Sequence, residues 1–101
     1  MSDEEILVKI DRKLAVLAPK FLTDCRRMPD ELRGAIESGD IAAARRLGHS
    51  LWGTASSYGF DGLGSLGEEI EHAARAGDIE ALRKLAQRLD SYLSRVRPVF
   101  E

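Results

Sequence analysis

Apolar and polar positions alternate with a helical period along most of the 101-residue chain. Apolar residues that recur every three or four positions place one face of a helix against a core. In the first run these positions are Ile6, Ile10, Leu14 and Leu17. Ser2 and Glu5 have the spacing of a capping box, so the pattern predicts a first helix over roughly 3–17.

The second run extends from Pro19 to Gly39 and carries a proline near its middle. Pro19 suits the first turn of a helix, and Gly39 is typical of a helix end. Pro29 lacks the backbone N–H that an interior helical position uses. We therefore predict one amphipathic segment over roughly 19–39 that Pro29 kinks or splits.

Three further helices are predicted from polar residues that can cap a first turn. Their predicted caps and ends are Asp40 to about Ser57, Asp61 to about Ala76, and Asp78 towards Val96. Gly77 separates the last two helices, and Pro98 marks the end of the last one. Abundant Ala, Leu, Arg and Glu also favour helices, so we predict an all-α protein.

Length and charge restrict the classes of function. A chain of 101 residues forms one domain, here 1–101, and is too short for a complete kinase. Its formal net charge of -2 provides no basic field for nucleic acid. Cys25 is the single cysteine and cannot form an intramolecular disulfide, and no segment resembles a signal peptide or a membrane span. We therefore expect a cytoplasmic protein that binds neither nucleic acid nor membrane.

Two segments of the chain are copies of one pattern. The sequence "SGDIAAARRLGHSL" at 38–51 aligns with "AGDIEALRKLAQRL" at 76–89, an offset of 38 residues. Two copies are too few for a helical solenoid, so we expect two cap-and-helix units within one bundle. His49 stands where the second copy has Gln87, so the shared scaffold does not require histidine there.

His49 lies on the polar side of the third predicted helix. A count at about 100° per residue separates an apolar side from a stripe that faces solvent. The apolar side holds Ala44, Leu47, Leu51, Ala55 and Tyr58, and the stripe holds Arg45, His49, Trp52, Gly53 and Ser56. Gly53 costs about 1 kcal/mol relative to alanine in a helix, but it leaves the imidazole open to a bulky partner. An ordinary surface histidine beside an incidental glycine has the same spacing, so the pattern alone leaves both interpretations open.

The segment 49–78, "HSLWGTASSYGFDGLGSLGEEIEHAARAGD", resembles the core signature of histidine-containing phosphotransfer (Hpt) domains. That signature is His-x-Leu-Lys-Gly, a second glycine ten residues after the histidine, and an acidic residue on the next helix. The resemblance implies that His49 carries a phosphoryl group, that Gly53 admits a partner and that Gly59 forms the turn. It also supports an antiparallel four-helix bundle, with a short additional N-terminal helix in this chain.

Two positions near His49 decide how far the resemblance extends. Glu71 stands where the family often has a polar group near the imidazole, so we expect it to orient the ring. Trp52 replaces the lysine that usually offers positive charge to the phosphoryl oxygens. Arg45 and Arg46 are the nearest cationic substitutes. The predicted binding surface consists of Arg45, Arg46, Trp52, Gly53, Ser56 and Gly59.

The resemblance implies a phosphocarrier in a multistep His-Asp relay, with neither ATP-dependent kinase activity nor a cofactor of its own. Its expected partners are receiver domains, which would supply Mg²⁺, and a histidine kinase, and the protein itself is expected to be a monomer. Two alternatives stay open. An Hpt-like module could regulate a receiver domain or kinase by docking without phosphate, as loss of the lysine would permit. A purely structural helical protein could self-associate.

Other candidate sites have ordinary structural explanations. His72 points away from the apolar side of its helix and is expected to be a solvated surface residue. His49, His72 and Cys25 lack the spacing of metal ligands, so we predict no metal site. The sequence "GLGSLG" at 62–67 lacks the Lys-Ser/Thr ending of a phosphate-binding loop, and we expect its glycines to permit close helix packing.

Overall fold

A computed structural model describes residues 4–101 of the chain. Over these residues the helices are α1 (Leu17–Cys25), α2 (Met28–Ser38), α3 (Ile41–Tyr58), α4 (Asp61–Ala76) and α5 (Ile79–Arg95). The strands are β1 (Ile6–Ile10) and β2 (Val96–Phe100), and a short 3-10 helix covers Arg12–Leu14. The predicted capping residue Ser2 lies outside the described residues.

Helices α2 to α5 form a four-helix bundle. Very short connections join consecutive helices, so neighbours run antiparallel. α3 and α5 each pack against both α2 and α4, which closes a ring around one apolar core, and the contact between α3 and α4 is the most extensive. Helices make up 76% of the described residues, which confirms the predicted all-α bundle. The additional N-terminal helix expected over 3–17 is absent from the described residues, and α1 instead covers the first part of the segment predicted over 19–39.

The helix predicted over 3–17 is wrong, because Ile6–Ile10 is a β-strand. β1 pairs in parallel with β2, with Ile6 opposite Val96 and Ile10 opposite Phe100. Its side chains alternate between the bundle and solvent, which is the two-residue period of a strand. "ILVKI" is rich in β-branched residues that suit this conformation. The tertiary partner β2, ninety residues further along the chain, therefore overrides the helical spacing.

The second predicted segment is split, as its internal proline suggests. α1 ends at Cys25 and α2 begins at Met28, so Pro29 occupies the first turn of α2, where its missing N–H is not needed. The proposed cap at Asp61 is wrong. Phe60 is the N-cap of α4, without a side-chain hydrogen bond, and its fully buried ring anchors this turn. Asp61 is instead the first residue of the helix.

The repeated pattern is confirmed as two similar helical units. Gly39 and Gly77 end the preceding helices in the left-handed conformation, with φ of 72° and 67°. Asp40 and Asp78 then accept hydrogen bonds from the backbone N–H three residues ahead, at 3.0 and 3.1 Å. The offset of 38 extends backwards as well, since α2 corresponds to the second part of α4. Equivalent positions that are buried in both units include Leu32 and Ile70, Ala44 and Leu82, and Leu51 and Leu89.

Candidate functional site

A seam of glycines brings the backbones of α3 and α4 together. A Cβ atom at Gly48 would lie 2.6 Å from the Glu71 backbone nitrogen, and one at Gly67 would lie 2.6 Å from the Trp52 backbone nitrogen. A Cβ at Gly64 would lie 2.6 Å from the Ser56 hydroxyl oxygen. No side chain fits at such separations, so the glycines of "GLGSLG" that face α3 serve close helix packing, as predicted.

His49 reaches across this seam to a buried carboxylate. Its Nδ1 lies 2.6 Å from Glu71 Oε2. The His49 side chain is 72% exposed, whereas the Glu71 side chain is 8% exposed. A carboxylate only accepts, so in the neutral imidazole this contact selects the tautomer with the proton on Nδ1 and the lone pair on Nε2. The site therefore consists of the exposed imidazole of His49, which contacts the buried Glu71 carboxylate through one ring nitrogen.

Glu71 is the one charged residue that is buried among residues 4–101, so its lost hydration must be offset by other contacts. Burying a carboxylate costs several kcal/mol unless hydrogen bonds or opposite charge offset the lost hydration. His49 supplies one partner. Arg75, one helical turn further along α4, places Nη2 3.6 Å from Glu71 Oε1. The sequence interpretation missed Arg75, although its i,i+4 spacing from Glu71 was a usable signal.

Trp52 forms the edge of the site on α3. Its ring meets the His49 ring edge-on, with centroids 6.4 Å apart and an interplanar angle of 88°. Trp52 is 38% exposed, so it is partly packed and partly presented to solvent. Next to it, a Cβ at Gly53 would meet no atom within 4 Å outside its own helix in the described structure. A partner can therefore approach the imidazole over Gly53.

The remaining predicted binding residues lie at different distances from the ring. Arg45 is exposed one turn before His49, and Ser56 lies one turn after Trp52 against α4. Arg46 lines a cavity with residues of α2, on another side of α3. Gly59 ends α3 with φ 91°, about 15 Å along the axis from His49 at 1.5 Å per residue. The structure thus groups His49, Trp52, Gly53 and Glu71 and leaves Arg46 and Gly59 outside that group.

The other titratable candidates lie away from the site. His72 is exposed and lies at the rim of a groove between α4 and α5. Cys25 is 1% exposed in the core. Burial raises the pKa of the Cys25 thiol to about 11, so it is an inert core residue at neutral pH. Among residues 4–101, no group of three or more His, Cys, Asp or Glu side chains is placed to hold a metal ion.

Fold and site together define a helical bundle in which one solvent-exposed histidine contacts a buried carboxylate. The family model "Hpt domain" matches residues 16–98, and the chain belongs to this family. Hpt domains are phosphotransfer modules of two-component relays, and they interact with receiver domains and kinases. Neither a curated protein nor a solved structure matches the chain. Within the described residues, every helix is too short or too polar to cross a bilayer.

Proposed function

We propose that this protein is a phosphocarrier that exchanges a phosphoryl group between His49 and the aspartate of receiver domains. One observation carries the proposal: an exposed imidazole is held by Glu71 through Nδ1, so its Nε2 is free to react. A histidine nucleophile needs this neutral, oriented form. The open surface over Gly53 supplies the access that a receiver domain needs.

In the proposed reaction, Nε2 of His49 attacks the phosphorus of an aspartyl phosphate on the receiver. The N–P bond forms as the P–O bond to the aspartate breaks, and the aspartate leaves as a carboxylate. The imidazole ring gains positive charge in this step while the Nδ1 proton stays in place. Glu71 accepts a hydrogen bond from that proton and stabilises the charge, and transfer in the reverse direction uses the same contacts.

We assign neutralisation of the negative charge on the phosphoryl oxygens to the receiver domain. Phosphoryl transfer depends mainly on positioning and on stabilising the equatorial oxygens, which Mg²⁺ in the receiver would provide. In this chain the position three residues after His49 holds Trp52 rather than the lysine that is usual in the family. Arg45 and Arg46 precede His49 by about one turn of α3, and Arg75 follows Glu71 by one turn of α4. The proposal therefore requires no ATP site and no cofactor in this protein.

A second candidate function is docking without phosphate. Trp52 favours it, because an exposed aromatic side chain at the rim of a site is a common anchor for a partner protein and the usual lysine is absent. In this case the bundle would bind a receiver domain or a kinase and regulate it. Binding would then be as tight without phosphorylation as with it.

Phosphotransfer from phosphorylated receiver domains to the full chain distinguishes the two functions. The carrier predicts an acid-labile, base-stable phosphate that is lost in His49→Gln and retained in His72→Gln, the matched exposed histidine on α4. Because glutamine keeps an N–H donor for Glu71, His49→Gln should lower the free energy of unfolding by no more than about 1 kcal/mol. Labelling of His49→Gln would overturn the assignment. Stable receiver binding without any labelling of the wild type would favour docking.

A further inference from the structure

β1 and β2 form a two-stranded sheet within the described residues, and its two edges differ. Glu101 donates its N–H to the Ile10 carbonyl and accepts from the Arg12 N–H, so its backbone faces β1. Backbone groups of alternate residues point to opposite sides of a strand. Pro98 therefore faces away from β1, and its missing N–H protects the outer edge of β2 against strand addition.

The outer edge of β1 has no such protection. Ile10 and Arg12 direct their ladder groups towards β2, so Leu7 and Lys9 direct their N–H and C=O groups outwards by the same alternation. "ILVKI" contains no proline and is β-prone. This edge therefore offers hydrogen-bonding groups in the geometry that a third strand requires.

Side chains on the solvent face of β1 are complementary to a second copy of themselves. Leu7 is 67% exposed, and Glu5 and Lys9 are exposed two positions before and after it, with Glu5 also paired with Arg97 of β2 in its own chain. In an antiparallel pair of β1 strands centred on Leu7, Leu7 faces Leu7 and Glu5 faces Lys9 on both sides. The outward-facing backbone groups of Leu7 and Lys9 form hydrogen-bonded pairs in this same register. The Leu7 contact, the opposite charges and the outward backbone groups thus all favour the antiparallel register centred on Leu7.

We propose that two copies of this protein associate through antiparallel pairing of their β1 strands around a two-fold axis. The result is a four-stranded sheet in the order β2, β1, β1 of the second copy, β2 of the second copy, closed at both ends by Pro98. This departs from the expected monomer. A short edge buries far less than the about 1,600 Å² of a standard interface, so the dimer forms only at high protein concentration.

Sedimentation velocity of the full chain over a wide concentration range tests the proposal. The wild type should shift from monomer to dimer as concentration rises. Leu7→Pro removes an outward N–H without touching the β1–β2 ladder, and it should remain monomeric. Leu7→Val keeps both the N–H and the apolar contact, so it is the matched control and should still dimerise. A wild type that stays monomeric, or a Leu7→Pro dimer of unchanged strength, would overturn the proposal.

Charge exchange provides a test that does not depend on proline. Lys9→Glu places Glu5 opposite glutamate, and Glu5→Lys places Lys9 opposite lysine, so each variant should raise the dimer dissociation constant about tenfold. Glu5→Lys also removes the exposed Glu5–Arg97 pair within the chain, so its melting curve is measured beside that of Lys9→Glu. Mixing the two variants restores both opposite-charge pairs and should restore wild-type affinity in the heterodimer. Equal self-association of each variant and their mixture would show that the contact lies elsewhere.

Discussion

The helix pairs α3–α4 and α5–α2 occupy equivalent places in the two repeated units, yet they meet differently. Gly48 in α3 corresponds to Ala86 in α5, and Gly67 in α4 corresponds to Pro29 in α2. The glycines let α3 and α4 approach backbone to backbone, whereas Ala86 places a side chain between α5 and its neighbour. The site is therefore built where the common scaffold is packed most tightly.

The charges on the two pairs differ in the same way. Glu71 corresponds to Arg33, whose side chain is 40% exposed and pairs with Asp30 at 3.2 Å and Asp90 at 3.1 Å. Such solvated ion pairs contribute little to stability. Glu71 is buried and committed to His49 instead. The two halves of the bundle therefore differ in one buried carboxylate as well as in the histidine, and α3–α4 combines both.

Filling the glycine seam should have the largest effect. Gly67→Ala places a Cβ 2.6 Å from the Trp52 backbone nitrogen, so α3 and α4 must separate. We expect the free energy of unfolding to fall by about 3 kcal/mol in chemical denaturation. Gly53→Ala and Gly34→Ala are the controls, because both sites are open and alanine favours helix. Each should stabilise the protein by up to about 1 kcal/mol.

Removing the buried carboxylate should have the next largest effect, now on transfer. Glu71→Ala deletes the charged acceptor at Nδ1, a bond worth about 2 kcal/mol, so phosphotransfer from a receiver should slow about thirtyfold. Glu71→Gln keeps an acceptor without the charge and should lose less. Glu69→Ala removes an exposed carboxylate on the same helix that pairs with Arg88, and its rate should match wild type. Equal rates for Glu71→Ala and Glu69→Ala would mean that Glu71 has no part in the reaction.

Substitutions of Trp52 test whether the α3–α4 half of the bundle binds a receiver domain through this side chain. Trp52→Ala should weaken receiver binding about tenfold and lower the free energy of unfolding by about 1 kcal/mol, because the ring is only partly packed. Trp52→Lys should weaken binding similarly but slow hydrolysis of phosphohistidine a few-fold through its charge. A calorimetric titration beside a melting curve separates these effects. Normal affinity with a large loss of stability would assign Trp52 to the core.

The smallest effect, on labelling by a phosphorylated receiver, is expected when a histidine alone is introduced into the α5–α2 half of the bundle. Gln87→His puts an imidazole at the position of α5 that corresponds to His49. The neighbouring α2 offers Arg33 there rather than a buried carboxylate. In a His49→Gln background, Gln87→His should therefore show no labelling by a phosphorylated receiver. Labelling at Gln87→His would show that exposure alone is sufficient.

Local sequence signals predicted most of the fold because the helix ends are local. Asp40 and Asp78 form the expected caps, and Gly39 and Gly77 end helices where left-handed backbone is needed. β1 could not be found in this way. Its spacing fits a helix, and the strand exists only because β2 lies beside it.

The site was partly visible in the sequence for a similar reason. His49, Trp52 and Gly53 lie within one turn of each other, so their common stripe follows from helical periodicity. The contact between His49 and Glu71 depends on the separation of two helices, which the glycine seam sets. The resemblance to Hpt domains supplied Glu71 as a candidate. The contact between Arg75 and Glu71 was identified only from the structure, which shows that the carboxylate is buried and lies near this positive charge.

The sheet that joins the two ends of the described chain also has a kinetic consequence. β1 and β2 are ninety residues apart, so their pairing closes a long loop, whereas each helical hairpin forms from neighbouring residues. We expect the sheet to form last and to open first, and its amides to exchange hydrogen faster than those of Leu51 in the core. Any chain that binds the β1 edge would hold this segment closed by mass action, which couples association to the order in which the protein folds.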